Sequence, residues 1–199
     1  GGLWLIGDHT NVFGTSTHLN RLAARFGLRL RYDATYDLKT LALSVFRPPP
    51  VFRHPVTAYL PDYLFATSCT VEAPFLSENM ILGYGLKAAD LDYARTSFFP
   101  GKNDQNYSFG VFLQQGGVKH GKGRVAIFTD STCFSNFFMF MPGKPELALG
   151  TVEWLNRTNR FAWVKVLLLI LGLTALAGLV PWAVSGIRIL DRVRPWAAW

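Results

Sequence analysis

Two short polar stretches follow apolar runs and hold the side chains best suited to chemistry. Leu3–Ile6 breaks into Gly7-Asp8-His9-Thr10-Asn11, and Val125–Thr129 breaks into Asp130-Ser131-Thr132, with Ser135 and Asn136 soon after. A strand that ends this way delivers carboxylate, imidazole and hydroxyl groups to a sheet edge. In open sheets, ligands bind at the carboxyl ends of strands. Asp8, His9, Asn11, Asp130, Ser131 and Asn136 therefore form the candidate ligand crevice. Three chemistries are open to such a set. A Ser–His–Asp hydrolase needs its serine on a tight elbow with small neighbours, and Ser131 stands between Asp130 and Thr132. A metal site from Asp8, His9 and Asp130 has no spacing that specifies an ion. The third is a crevice that holds a small polar ligand. Against all three stands a structural role, in which Asp, Ser and Thr at strand ends cap the next turn.

The expectation from these residues is no catalytic set, no metal and no cofactor. Cys69 and Cys133 lack metal-ligand spacing; an extracytoplasmic setting would allow a disulfide between them.

The surrounding elements read as alternating strands and helices. Ser16 or Thr17 starts a helix whose apolar face is Leu19, Leu22, Ala23 and Phe26, and Gly27 ends it. Leu28–Tyr32 alternates as a half-buried strand, completing a strand–helix–strand unit typical of parallel sheets. A short helix is expected over Asp37–Val45, and a stiff Pro-rich segment follows near Pro48–Pro50. Strands are expected over Tyr63–Val71, Met80–Tyr84 and Phe109–Gln115, a loop over Phe98–Ser108 and a turn over Gly116–Gly123. A last helix covers about Glu146–Asn156. Phe134, Phe137, Phe138, Met139 and Phe140 are too apolar for a solvated loop. They read as core or as a partner-facing surface.

From Val166 to Val184 no residue is charged, and the apolar run continues to Ile187. About 20 apolar residues span a bilayer as a helix. Trp163 and Trp182 stand near its ends, where indole rings favour the interface. Gly172, Ala175 and Gly178 provide small residues for close helix packing. The expected organisation is a globular part over residues 1–160, a transmembrane helix over 161–188 and a short basic tail containing tryptophan over 189–199. The net charge is +7, and Lys165, Arg188, Arg192 and Arg194 flank the apolar run. Such flanking charge suits anionic head groups. No Lys/Arg run with interleaved aromatics argues for nucleic acid. The balance of flanking charge leans toward a cytoplasmic tail and an extracytoplasmic domain. Gly1-Gly2 suggests a preceding helix, and with it a strand, belonging to the same domain.

The stretches GGLWLIGDHTNVFG, LNRLAARFGLRLRYD, GKGRVAIFTDSTCFSN and PGKPELALGTVEWLNR resemble class I glutamine-amidotransferase-like domains. More narrowly, they resemble the non-catalytic type found in bacterial single-pass membrane proteins. The resemblance implies an α/β fold: a flavodoxin-like, mostly parallel sheet with flanking helices, here lacking its N-terminal elements, followed by the membrane helix. Amidotransferases place a cysteine on a glycine-flanked elbow with a late His and Glu. Neither Cys69 nor Cys133 has flanking glycines, and no His-x-Glu pair occurs. The expectation is a membrane-anchored accessory or scaffold subunit that packs against other membrane-protein subunits. The alternative is a ligand-binding or hydrolase-like protein that uses the strand-end crevice.

Overall fold

A computed structural model describes residues 1–94, 106–159 and 162–193, the last of these with side chains at 163–164 and 166–180. The chain forms two compact units, Gly1–Asn159 and Arg160–Trp199.

The first unit is built on a five-stranded sheet in the order β1-β9-β8-β7-β3. β1 (Gly2–Ile6) pairs in parallel with β9 (Gly123–Phe128). β8 (Tyr107–His120), β7 (Glu78–Asp90) and β3 (Asp33–Asp37) follow in antiparallel register. The sheet is thus mixed and largely antiparallel, which corrects the expectation of a mostly parallel one. The reason lies in the connections. β8 reaches β9 through a tight turn at Gly121, whose φ of 54° suits glycine, and such hairpins join only antiparallel neighbours.

The expected strand after the first helix shrinks to β2 (Arg29–Leu30), which pairs antiparallel with β6 (Val71–Glu72) outside the main sheet. Asn20 fixes it there: its side-chain amide donates to the Leu30 carbonyl at 2.9 Å and its oxygen accepts the Leu30 N–H at 2.8 Å. The expected helix over residues 37–45 is also absent. Asp37 instead accepts the Lys39 and Thr40 backbone N–H groups, each at 2.9 Å, closing a turn. A short strand, β4 (Val45–Phe46), follows and pairs with β5 (Tyr63–Leu64). The strand expected over 63–71 is broken into β5 and β6. The intervening Phe65, Ala66 and Cys69 are buried as irregular chain. Both cysteines are buried and free, so no disulfide joins them.

Each face of β1 and β9 feeds a different core. Trp4 and Ile6 with Ala126 and Phe128 pack against Leu147, Trp154 and Leu155 of α2 (Lys144–Asn156). Leu5, Val125 and Ile127 pack against Ala23 and Leu19 of α1 (Thr15–Ala23). This is the period-2 alternation of strands packed on both faces, with β9 buried over Val125–Phe128 and β1 partly buried. Gly150 lets α2 approach the chain at Val56 closely: a Cβ there would lie 2.6 Å from the Val56 carbonyl oxygen.

The second unit contains the helix α3 (Ala162–Val193). Its described side chains over residues 166–180 are all exposed, and Thr174 is the one polar side chain among them. Among the described residues no helix is long and apolar enough to cross a membrane. Residues 166–180 rise about 22 Å at 1.5 Å per residue, against about 30 Å of bilayer core. Gly172, Ala175 and Gly178 lie on this exposed stretch. The tail residues 194–199 and most of the expected loop over 98–108 lie outside the described residues.

Candidate functional site

Parallel pairing puts the ends of β1 and β9 side by side. The Gly7 N–H donates to the Phe128 carbonyl at 2.8 Å, and the Ser131 N–H donates to the Gly7 carbonyl at 2.9 Å. Gly7 allows this closeness, since a Cβ there would lie 2.2 Å from Leu30 Cδ1. The two polar loops meet as a result. Ser131 Oγ donates to Asp8 Oδ2 at 2.7 Å. Asp8 also accepts the His9 backbone N–H at 2.8 Å and so caps the turn His9–Gly14.

His9 does not complete a relay. Its Nδ1 pairs with Thr10 Oγ1 at 2.8 Å, and its Nε2 lies 3.7 Å from Asp8. Burial lowers the imidazole pKa below its ordinary value, against the opposing pull of the Asp8 charge. The serine hydroxyl is given to a carboxylate rather than to an imidazole base. An unactivated hydroxyl is a weak nucleophile.

Asp130 turns away from this pair. It is fully buried, and its carboxylate accepts the N–H groups of Ala66 at 2.6 Å, Thr67 at 3.0 Å and Cys133 at 3.3 Å. The shared Asp8–His9–Asp130 crevice is thereby corrected, because Asp130 ties the 66–67 loop to β9. Among the described residues no three His, Cys, Asp or Glu side chains group as a metal site. Burial pushes the Asp130 pKa up to about 6, against the hydrogen bonds it accepts.

Asn11 is likewise structural. It is buried in a left-handed conformation, accepts the Thr17 N–H at 2.9 Å and donates to Asp92 Oδ1 at 2.8 Å. Asn136 is exposed. Thr10, Asn11 and Phe13 all have φ near +50°, a costly conformation for residues with a Cβ.

Sequence reasoning missed a buried group beside Asp130. Lys144 is fully buried. Its ammonium donates to the Leu64 carbonyl, lies 3.2 Å from Cys133 Sγ and stands 3.6 Å over the Tyr63 ring. Cys133 Sγ in turn lies 3.1 Å from Asp130 Oδ2. Nothing local in Gly143-Lys144-Pro145 separates this lysine from a solvated one. Burial, then the Asp130 charge, pushes the Cys133 thiol up to about 12, although Lys144 acts the other way. A buried thiol with a raised pKa is inert.

The aromatic stretch divides. Of the two roles open to this stretch, core or partner-facing, Phe134 and Phe138 take the core one. The Phe134 ring stands 5.3 Å from both the Trp4 and Phe128 rings. Phe137 and Phe140 are 90% and 88% exposed. Met139 is intermediate.

No protein-family model matches the chain, and no curated protein matches it.

Proposed function

We propose that the chain is a membrane-anchored accessory subunit whose globular unit binds a partner and runs no reaction. The single observation that carries this reading is the surface of α3. From Val166 to Val180 every side chain is exposed and all but Thr174 are apolar. The Thr174 hydroxyl is satisfied within the helix, donating to the Ile170 and Leu171 carbonyls at 3.0 and 2.9 Å. A helix in hydrocarbon must satisfy its polar groups in this way. The apolar sequence continues through Ile187, which extends the run to the length a bilayer requires. Small residues at Gly172, Ala175 and Gly178 suit packing against other membrane helices.

The globular unit supports the non-catalytic half of the reading. Ser131 is held by a carboxylate, Asp130 by backbone amides, and Cys133 is buried with a raised pKa. The amidotransferase-like resemblance is part of the same proposal, as a scaffold without its chemistry. Alkaline carbonate extraction tests the anchor. The wild-type chain stays in the membrane pellet, and Leu171→Arg, which places a charge at the centre of the run, shifts it toward the supernatant. A wild-type chain released by carbonate would defeat the reading.

A further inference from the structure

β1 and β9 end in the carboxylates Asp8 and Asp130, and the opposite end of the same sheet is basic. There the β8–β9 turn reads Lys119-His120-Gly121-Lys122-Gly123-Arg124, with Lys119, His120 and Lys122 exposed. The His120 ring stands 5.2 Å from the Phe26 ring, which brings the turn against the end of α1, where Arg25 is exposed. Acids answer only part of this charge. Glu78 pairs with Lys119 at 3.1 Å, and Glu153 pairs with Arg157. Arg124 turns to neutral groups: it donates to Asn159 Oδ1 at 2.8 Å and to the Trp154 carbonyl at 3.1 Å. Among the described residues, Arg25, Lys122 and Arg124 form no ion pair.

Asn159 decides what this patch faces. Its side-chain amide donates to the Gly121 carbonyl at 3.3 Å and to the Gly123 carbonyl, while its oxygen accepts Arg124 Nε. One residue thus bolts the tip of the hairpin to the end of the globular unit. Only Arg160 and Phe161 separate Asn159 from Ala162, the first residue of α3. A chain that enters hydrocarbon with α3 keeps Asn159 at the depth of the head groups, and the bolted tip with it.

We infer that the basic end of the globular unit, centred on Lys122 and Arg25, docks on anionic phospholipid head groups. Charge complementarity selects the occupant: clustered cations without carboxylate partners are drawn to a surface of many phosphates, within a Debye length of it. The bond from Asn159 to the tip selects the bilayer as that surface, because the chain itself carries the tip there. The inference rests on the anchor reading given above. It adds that the globular unit touches lipid with its own side chains, far in sequence from the charges that flank the apolar run.

Amine footprinting of the full chain tests it. The chain is reconstituted into phosphatidylcholine vesicles and into vesicles rich in phosphatidylglycerol, and both are washed with alkaline carbonate before labelling at neutral pH. A water-soluble acylating reagent then modifies the lysines, and peptide mass spectrometry reads Lys122 against Lys39, which is exposed in the turn after β3. The expected result is a ratio of Lys122 to Lys39 labelling at least about threefold lower in the phosphatidylglycerol vesicles, restored by high salt. Equal ratios in the two vesicles, with the chain retained in both after the wash, would overturn the docking surface and leave the anchor standing. Loss of the chain from both vesicles at the wash would overturn the anchor, and the docking surface with it.

Discussion

Ser131 and Asp8, 123 positions apart, are joined by a 2.7 Å hydrogen bond that closes the two strand-end loops on each other. The bond spends the serine hydroxyl on a carboxylate that already caps a turn. Ser131 is exposed, so the bond is a modest clamp. Ser131→Ala should cost about 1 kcal/mol in urea unfolding. It should leave the slope of unfolding against urea unchanged. A cost near zero would mean that the loops are held by their backbone bonds alone.

Asp130 gives the fold a signed dependence on pH. Its folded pKa lies at about 6, above the ordinary carboxylate value near 3.9. The folded state therefore holds this proton more tightly. Its contribution is fully present below pH 4 and is lost as pH rises through 6. His9 acts oppositely, since its lowered pKa removes stability as pH falls below about 6.5. Asp130→Asn isolates the carboxylate. Wild-type stability minus that of the variant should fall by about 2 kcal/mol between pH 4 and 7. A flat difference, measured by denaturant unfolding, would contradict the burial argument.

Cys133 should be silent to thiol reagents. In the native chain at pH 8, alkylation of Cys133 and Cys69 should be at least about a hundredfold slower than in the denatured chain, because both are buried and protonated. Rapid native labelling of Cys133, read by peptide mass spectrometry, would revive it as a reactive group. Lys144→Met should lower stability by about 2 kcal/mol, because it leaves the Leu64 carbonyl with only the weak Cys133 thiol at 3.9 Å.

Phe13 offers a test of strain. Its φ is 53° and its ring is 90% exposed, so the side chain buries almost nothing while the backbone is held in the left-handed region. Phe13→Gly should therefore raise the midpoint of thermal unfolding, by an amount equivalent to about 1 kcal/mol. A loss of stability would show that the ring has a packing role.

Part of this fold was legible in the sequence, and for physical reasons. β1, β9 and α1 carry local apolar periodicity, and Leu5, Ile6, Val125, Ile127, Leu19 and Ala23 face cores as it requires, although Leu22 of the expected α1 face is exposed; α2 buries Leu147, Trp154 and Leu155 but leaves Leu149 and Val152 exposed. The long strands β7 and β8 extend well beyond the expected Met80–Tyr84 and Phe109–Gln115. Their interiors hold glycines and buried glutamines rather than alternating apolar residues. Gln114 is accommodated by donating to Thr35, Ser44 and Ser68, partners from three separate segments. The sheet is not the expected parallel one, because strand–helix–strand spacing does not reveal that Asn20 captures Leu30 outside the main sheet. At the site, the meeting of Asp8 and Ser131 followed from two strands ending alike. The inward turn of Asp130 did not, since its partners Ala66 and Thr67 are backbone groups that carry no sequence signal.

Above all, the proposal makes this chain a subunit of a larger assembly. Native mass spectrometry of the detergent-solubilised protein, taken from its own membrane, tests it most directly. A defined assembly is expected, in which the chain is present at fixed stoichiometry with other membrane polypeptides. A lone chain, monodisperse and carrying a small bound molecule, would contradict it and return the weight to Asp8, His9 and Ser131.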